Sequence, residues 1–189
     1  MRITAIVFGA LLLCGVSGLA LANDGIVVGE GSTQGGFYDG PREDLIHEWN
    51  ADQEHSPAGT YSGGCFAYPY DPPMEYTLER VEWLAGGLGG TVTVQVRDGD
   101  PNGTVLGEVT YDEVAQTGWQ GENLVPAVPV VPGGDYFIIY DVVPDADAST
   151  AAAGDIIPYR YASDCASYGD IFESIYWKAR FYGTSAVPV

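Results

Sequence analysis

Two segments of the sequence place several tyrosines around a cysteine. The tyrosines and the aspartates beside them in these segments are Tyr61, Tyr68, Tyr70, Asp71, Tyr159, Tyr161, Asp164 and Tyr168. A tyrosine ring offers a large amphipathic surface with little conformational entropy to lose, so it can pack against the C–H face of a sugar ring. Neighbouring carboxylates can accept hydrogen bonds from sugar hydroxyls. The pattern predicts a binding patch for a carbohydrate ligand.

The same tyrosines can also be interpreted as interior residues. In that case the rings would cover the end of the domain, and each buried hydroxyl would need a hydrogen-bond partner on the backbone. Rings that stand exposed together would support the ligand-binding patch, whereas buried rings would support the structural interpretation. The sequence leaves both interpretations open.

The sequence DGDPNG, residues 98–103, matches the opening of a calcium-binding loop. Oxygen atoms of Asp98, Asp100 and Asn102 would suit a hard cation such as calcium. However, Val109 occupies the twelfth position, where calcium loops carry a bidentate glutamate. We therefore favour a plain hairpin turn, with calcium binding as the alternative.

The same turn holds an N-glycosylation sequon, Asn102-Gly103-Thr104. Such a tripeptide marks a surface loop in a secreted protein. It has meaning only in a host that glycosylates exported chains.

The first 22 residues have the composition of a secretory signal. Arg2 precedes an apolar run from Ile3 to Leu13, and Ala20-Leu21-Ala22 gives the small-x-small pattern of a signal-peptidase site. The apolar run is too short for a membrane anchor, and no later segment is apolar for long enough to span a bilayer. We predict a secreted chain, extracellular or periplasmic, that starts near Asn23.

Removal of this signal would leave two of the three cysteines, Cys65 and Cys165. In an exported chain two thiols most simply form one disulfide. That bond would close a loop of about 100 residues, for which the chain-entropy treatment gives about 4.7 kcal/mol. Two buried thiols and an intermolecular bridge are the alternatives.

The chain is strongly acidic, with a formal net charge of −19 and Lys178 as its single lysine. Such a surface repels nucleic acid and anionic lipid, so we expect neither as a partner. The sequence lacks the Gly-x-Ser-x-Gly nucleophile elbow and the glycine-rich phosphate loop. We therefore expect a protein that is not an enzyme.

Short alternating segments between glycine and proline turns indicate an all-β fold. The sequence TVTVQVR places Val92, Val94 and Val96 on one face and polar residues on the other. Further strands are expected in 76–85, 104–110, 124–131, 135–143 and 171–183. Residues 23–60 are predicted to form an irregular acidic leader with one short helix around Pro41–Glu54, and residues 61–189 to form one antiparallel β-domain.

The segments ERVEWLAGGLGGTVTVQVRDGDPNGTVLGE, TGWQ and LVPAVPVVPGGDYFIIY follow one another between residues 76 and 143. This order of strands and turns resembles the jelly-roll-like β-sandwich accessory modules of secreted bacterial proteins, which are similar in architecture to carbohydrate-binding modules. The resemblance implies an antiparallel β-sandwich, in which the first and last strands are often neighbours. A bond between Cys65 and Cys165 would then staple the segments that enter these two strands.

Two functions fit these expectations. The first is a secreted, non-catalytic binding or adhesion module for an extracellular glycan or surface protein. The alternative is a structural component of an extracellular or envelope assembly, in which residues 23–60 contact the partner.

Overall fold

The computed structural model describes residues 44–151, 153–173 and 175–185, without the side chains of residues 55–62 and 143–150. The predicted signal segment and residues 23–43 lie outside these ranges. The described residues belong to one compact unit, Pro41–Val189. They contain strands and turns but no helix, and hence no helix long and apolar enough to cross a membrane. The predicted all-β class is confirmed.

Eleven strands make up the described part of the chain: β1 (Asp44–Glu48), β2 (His55–Tyr70), β3 (Tyr76–Ala85), β4 (Gly90–Asp98), β5 (Val105–Glu113), β6 (Gly118–Gln120), β7 (Asn123–Val130), β8 (Tyr136–Ala151), β9 (Tyr159–Ala162), β10 (Ile171–Phe172) and β11 (Ala179–Thr184). Antiparallel pairing links them in the order β1-β11-β3-β7-β5-β4-β8-β2-β9-β10, and β6 pairs with β3.

One part of this path, which we call the first ladder, is built on β4, β8 and β2 and continues through β9 to β10. Ile139 of β8 lies opposite Ala67 of β2 on one side and opposite Gln95 of β4 on the other. Because side chains alternate between the two faces of a strand, residues 92, 94 and 96 of β4 all point inward. These three valines are fully buried, as the sequence predicts.

The other part of the path, which we call the second ladder, comprises β1, β11, β3 and β7. It meets the first ladder through β7 and β5, which share a single residue pair, Glu108 opposite Val125. Pro126 and Pro129 lie in β7. Proline has no backbone N–H to donate, so a strand that contains two prolines pairs poorly with a neighbour.

The interior is filled by aromatic side chains from strands that are not neighbours in the path. The ring of Trp83 in β3 lies 5.0 Å from that of Tyr68 in β2 and 4.6 Å from that of Tyr140 in β8. Tyr70 of β2 stacks on Phe181 of β11 with ring centroids 4.5 Å apart. Each such pair contributes about 0.5–1.5 kcal/mol beyond the apolar area that it buries. Strands of both ladders therefore share one aromatic core.

The prediction of an irregular leader with a short helix is wrong for the described residues before position 61. Asp44–Glu48 forms β1, which pairs with β11, and β2 begins at His55. The predicted domain boundary at residue 61 therefore falls inside a strand. The local pattern did not predict these two strands, because the residues that pair with positions 44–60 lie 89 or more positions away in the chain.

The turn between β1 and β2 is fixed by long-range hydrogen bonds. The side-chain amide of Asn50 donates to the backbone oxygens of Trp177 and Asp155 at 2.8 and 3.1 Å. Lys178 Nζ donates to the backbone oxygens of Asn50 and Gln53 at 2.7 and 2.8 Å. Burial lowers the pKa of Lys178. The single lysine of the chain thus stabilises a turn through hydrogen bonds to backbone oxygens.

The last predicted strand is two strands in the structure. β10 pairs with β9 in the first ladder, whereas β11 pairs with β3 and β1 in the second. The chain crosses from one ladder to the other between them. Ile175, Trp177, Ala179 and Phe181 are all buried, so the predicted inward face of the segment is nevertheless correct.

Candidate binding surface

Three of the predicted ring-bearing residues, Tyr68, Tyr70 and Tyr159, are buried in the core. In β2 every second residue faces inward, so Tyr68 and Tyr70 follow Phe66 into the interior. The hydroxyls of Tyr70 and Tyr76 share a hydrogen bond. Burial raises the pKa of both Tyr68 and Tyr70 above the ordinary value. These rings pack as interior residues and present no open face to a ligand.

Asp71 is not assembled with the other predicted residues. Asp71 is exposed and accepts a hydrogen bond from the backbone N–H of Gly133 at 2.9 Å. Tyr161 lies opposite Phe66 of β2, and Phe66 is five residues before Asp71 in the chain. At about 3.3 Å per residue, this places Asp71 about 17 Å along the strand from Tyr161. Tyr61 lies within β2, and its side chain is outside the described residues.

Among the predicted rings whose side chains the structure describes, Tyr161 is the exposed one, with 38% of its surface accessible. Its ring lies 5.4 Å from that of Phe66, and its hydroxyl donates to the backbone oxygen of Gly63 at 3.1 Å. A Cβ atom at Gly64 would lie 2.6–2.9 Å from the Tyr161 ring, and Gly64 has a φ of +126°. Glycine is therefore needed here, and the ring is held in place while part of it faces solvent.

A second exposed ring lies on the adjacent strand. Phe172 of β10 pairs with Tyr159 of β9, and the two rings stack at 5.4 Å with an interplanar angle of 25°. Phe172 is 47% exposed. Tyr159 and Tyr161 are two residues apart in β9, so Tyr161 and Phe172 point to the same face. We call this pair, Tyr161 and Phe172, the aromatic edge.

The two rings of the aromatic edge contact the buried rings of Phe66 and Tyr159 on one side and solvent on the other. Phe172 is not among the predicted site residues, because the sequence pattern of residues 171–183 predicts a single strand. The available signal was the apolar pair Ile171-Phe172 between two acidic residues, Asp170 and Glu173.

Polar residues surround the aromatic edge. Asp164 is exposed, and it accepts hydrogen bonds from the backbone and hydroxyl of Ser167, both at 2.8 Å, and from the backbone of Ala166 at 3.1 Å. These hydrogen bonds lower the pKa of Asp164. Asp170 and Glu173 are also exposed, directly before and after β10. The local surface is rich in carboxylates that can accept hydrogen bonds.

The disulfide between Cys65 and Cys165 is present, with Cα atoms 5.0 Å apart. The intramolecular bond is confirmed, but its position differs from the expectation. Cys65 lies inside β2 and Cys165 lies in the loop between β9 and β10. The bond joins a strand to that loop rather than the entries of the first and last strands. Tyr168 belongs to the same loop, and burial raises its pKa to about 12.

One group of three potential metal-ligand side chains occurs within the described ranges: Cys65, Cys165 and Asp141 have ligand atoms within 4.8 Å of one another. The two sulfurs are bonded to each other, and a metal needs thiolates. Burial raises the pKa of Asp141. The group is a cross-link beside a partly buried carboxylate and not a metal centre.

The turn at residues 98–103 joins β4 to β5 as a hairpin, which confirms the favoured interpretation. The backbone N–H of Asn102 donates to Oδ1 of Asp100 at 2.6 Å, and that of Gly103 donates to the backbone oxygen of Asp100 at 2.9 Å. A Cβ at Gly103 would collide with the backbone oxygen of Asp98. The carboxylate of Asp100 thus shapes the turn, and no trio of acidic, histidine or cysteine ligands gathers here among the described residues. The structure therefore shows Asp98, Asp100 and Asn102 as parts of a hairpin turn, and calcium binding at these residues stays a prediction.

Comparison of the chain with protein-family models, with curated proteins and with solved structures found no match. Function is therefore inferred from the geometry of the described residues.

Proposed function

We propose that this protein is a secreted, non-catalytic binding module that recognises a neutral carbohydrate through the aromatic edge. The observation that supports this most directly is the pair of exposed rings on adjacent strands, Tyr161 and Phe172. Each has a buried ring behind it: Phe66 behind Tyr161 and Tyr159 behind Phe172. Rings that are fixed before binding lose little entropy when a ligand packs against them.

The placement of the two rings suits a flat, weakly polar ligand. Diagonal positions on adjacent antiparallel strands lie about 7–8 Å apart, a distance that aromatic side chains can bridge. Both rings can therefore contact one sugar or two successive sugars through their faces. Asp164 and Asp170 can accept hydrogen bonds from the outward hydroxyls.

Charge selects against acidic ligands. The chain carries a net charge of −19, and the carboxylates of Asp164, Asp170 and Glu173 lie around the aromatic edge. Arg160, which lies in the adjacent strand β9, donates a hydrogen bond to the backbone oxygen of Gly169 at 3.5 Å. These carboxylates disfavour a polyuronate relative to a neutral glycan. We therefore assign neutral glycans to the surface.

The fold that we propose for this module is an antiparallel, jelly-roll-like β-sandwich. Its support is the narrow junction of the two ladders at the single pair Glu108–Val125, together with ring contacts between strands that are distant in the path. In such an arrangement the inner faces lie about 10 Å apart. The Cys65–Cys165 disulfide fits a chain that is exported to an oxidising compartment.

The test measures binding of the purified protein to cellulose, to chitin and to soluble oligosaccharides of both, with polygalacturonate as the anionic comparison. We expect Tyr161→Ala and Phe172→Ala each to weaken binding about 2–10-fold, because a ring contact contributes about 0.5–1.5 kcal/mol. Tyr161→Phe keeps the ring and should keep the affinity.

Val114→Ala is the matched control, because Val114 is an exposed apolar residue in the loop between β5 and β6. It should leave binding unchanged. Equal binding by the wild type and by a Tyr161→Ala, Phe172→Ala double variant, or a preference for polygalacturonate, would contradict the proposed function.

A second candidate function is a structural subunit of an extracellular assembly. It is favoured by the two ends of the strand path, β1 and β10, which carry the exposed apolar residues Leu45 and Ile171. Exposed apolar edge strands are sites where another chain can add. Sedimentation at low and high salt tests this, because salt screens the repulsion between acidic copies. A monomer at all concentrations and salts, unchanged by Ile171→Lys, would exclude self-assembly through β10.

A further inference from the structure

We propose that Asn102 is a modification site, the acceptor for an N-linked glycan at the tip of the β4–β5 hairpin. The sequon Asn102-Gly103-Thr104 lies between two regular strands, and the proposed binding function does not use it. An oligosaccharide on a folded protein needs an exposed asparagine with space around it. The position of Asn102 meets that requirement.

The side chains that the modification needs are accessible. Asn102 and Thr104 are both exposed. Within the described ranges, no hydrogen bond engages the side-chain amide of Asn102 or the hydroxyl of Thr104. The hydrogen bond that Asn102 makes in the described part of the chain is through its backbone N–H, which donates to Oδ1 of Asp100 at 2.6 Å. A glycan on Nδ2 would therefore break no hydrogen bond of the turn.

The turn itself is held from several sides, so a bulky group at its tip does not need to be accommodated by refolding. Gly99 donates its N–H to the backbone oxygen of Asp135 at 2.8 Å. Arg97 Nη1 donates to the backbone oxygen of Pro101 at 2.5 Å, and Pro101 is buried. The chain thus buries the residue before Asn102 and leaves Asn102 in solvent.

The group transfer is balanced without oxidation or reduction. The donor is a lipid-linked oligosaccharide diphosphate, which an oligosaccharyltransferase supplies. Nδ2 of Asn102 attacks the anomeric carbon of the first sugar, a C–N bond forms, and the C–O bond to the diphosphate breaks. The lipid diphosphate leaves, and the amide loses one proton. The hydroxyl at position 104 is the part of the sequon that the transferase requires.

The glycan would not cover the aromatic edge. Val94 of β4, Tyr140 of β8, Phe66 of β2 and Tyr161 of β9 lie in one row across the strands. Asp98 is four residues beyond Val94, which is about 13 Å along the strand, and three strand spacings add about 14 Å across the ladder. The hairpin tip therefore lies roughly 19 Å or more from Tyr161. The modification is independent of the proposed carbohydrate-binding function.

The test is secretion of the full chain from a eukaryotic cell line that has an oligosaccharyltransferase, followed by intact-mass and peptide mapping. The wild type should carry a glycan on the peptide that contains Asn102, and an N-glycan amidase should remove it and leave aspartate at that position. Asn102→Gln and Thr104→Ala should each abolish the mass increase. Thr104→Ser keeps the hydroxyl and should keep the glycan.

A folding control accompanies each variant, namely the far-ultraviolet circular dichroism spectrum and the absence of titratable thiols from Cys65 and Cys165. A secreted, folded wild type whose Asn102 peptide is found only unmodified would overturn the proposal. A glycan that persists in Asn102→Gln would overturn it as well. Carbohydrate binding is measured in a separate experiment, so failure of the glycosylation proposal would not contradict the proposed function, and failure of the proposed function would not contradict glycosylation.

Discussion

Removal of the disulfide by a Cys65→Ala, Cys165→Ala double substitution should destabilise the protein strongly while leaving the strand path intact. Cys65 is fully buried in β2 and Cys165 is half-buried in the loop between β9 and β10. Alanine is preferable to serine because a buried hydroxyl without a partner would add its own penalty. The main effect is then on the unfolded chain, which gains freedom when the cross-link is absent.

The magnitude follows from the loop that the bond closes. The two cysteines are 100 positions apart. For a loop of that length the chain-entropy treatment gives about 4.7 kcal/mol at 25 °C. For a domain of this size each kcal/mol corresponds to about 2–4 °C in the melting temperature, so we expect a decrease of about 9–19 °C.

Urea titration followed by tryptophan fluorescence measures the loss, with and without a phosphine reductant. Reduced wild type and the double variant should have similar free energies of unfolding, and the reductant should have no effect on the variant. A loss below about 1 kcal/mol would refute the reasoning, because it would mean that the bond hardly constrains the unfolded ensemble.

Two further predictions concern the turn that holds Lys178 and the buried tyrosines. Asn50→Ala should lower the free energy of unfolding by about 2–4 kcal/mol in urea titration, because it removes three side-chain hydrogen bonds of 2.7–3.1 Å at a residue with a φ of 53°. Asn50→Gly also removes the hydrogen bonds but tolerates the positive φ, so it should lose less stability than Asn50→Ala. Equal losses for the two variants would contradict the contribution assigned to the positive φ. Burial raises the pKa of Tyr76 and of Tyr168 from 10.0 to about 12, so the stability that these neutral hydroxyls contribute is complete below pH 10 and is lost as the pH rises toward 12. Tyrosinate absorbance should therefore rise together with unfolding in this range, and full ionisation of the folded protein near pH 10 would show that the rings are accessible.

Some parts of the fold could be predicted because they depend on neighbours in sequence. The alternation of Val92, Val94 and Val96 follows from the two faces of a strand, and the turn at 98–103 follows from its glycines, proline and aspartates. Strand β1 could not be predicted in this way. Its partner is β11, and the turn after it is held by hydrogen bonds from Asn50 to residues 105 and 127 positions away.

The sequence also predicts only part of the candidate binding surface. Tyr161 was identified from the cluster of tyrosines around the cysteines, but the same cluster contained Tyr68, Tyr70 and Tyr159, which are buried. A tyrosine has both an apolar ring and a hydroxyl, so its type alone fits the core and the surface equally. Phe172 was missed because its exposure depends on where β10 lies at the end of the strand path.

The sequence by itself determined the all-β class, the inward faces of the regular strands, the hairpin at residues 98–103 and the two cysteines that remain after the predicted signal. These are set by side-chain period and turn chemistry, which act over a few residues. The tertiary structure alone decided that residues 44–60 join the sheet and which aromatic rings stay in solvent. Those outcomes depend on pairing and packing between segments about 100 residues apart, and the free energy of such contacts is not encoded in any local pattern.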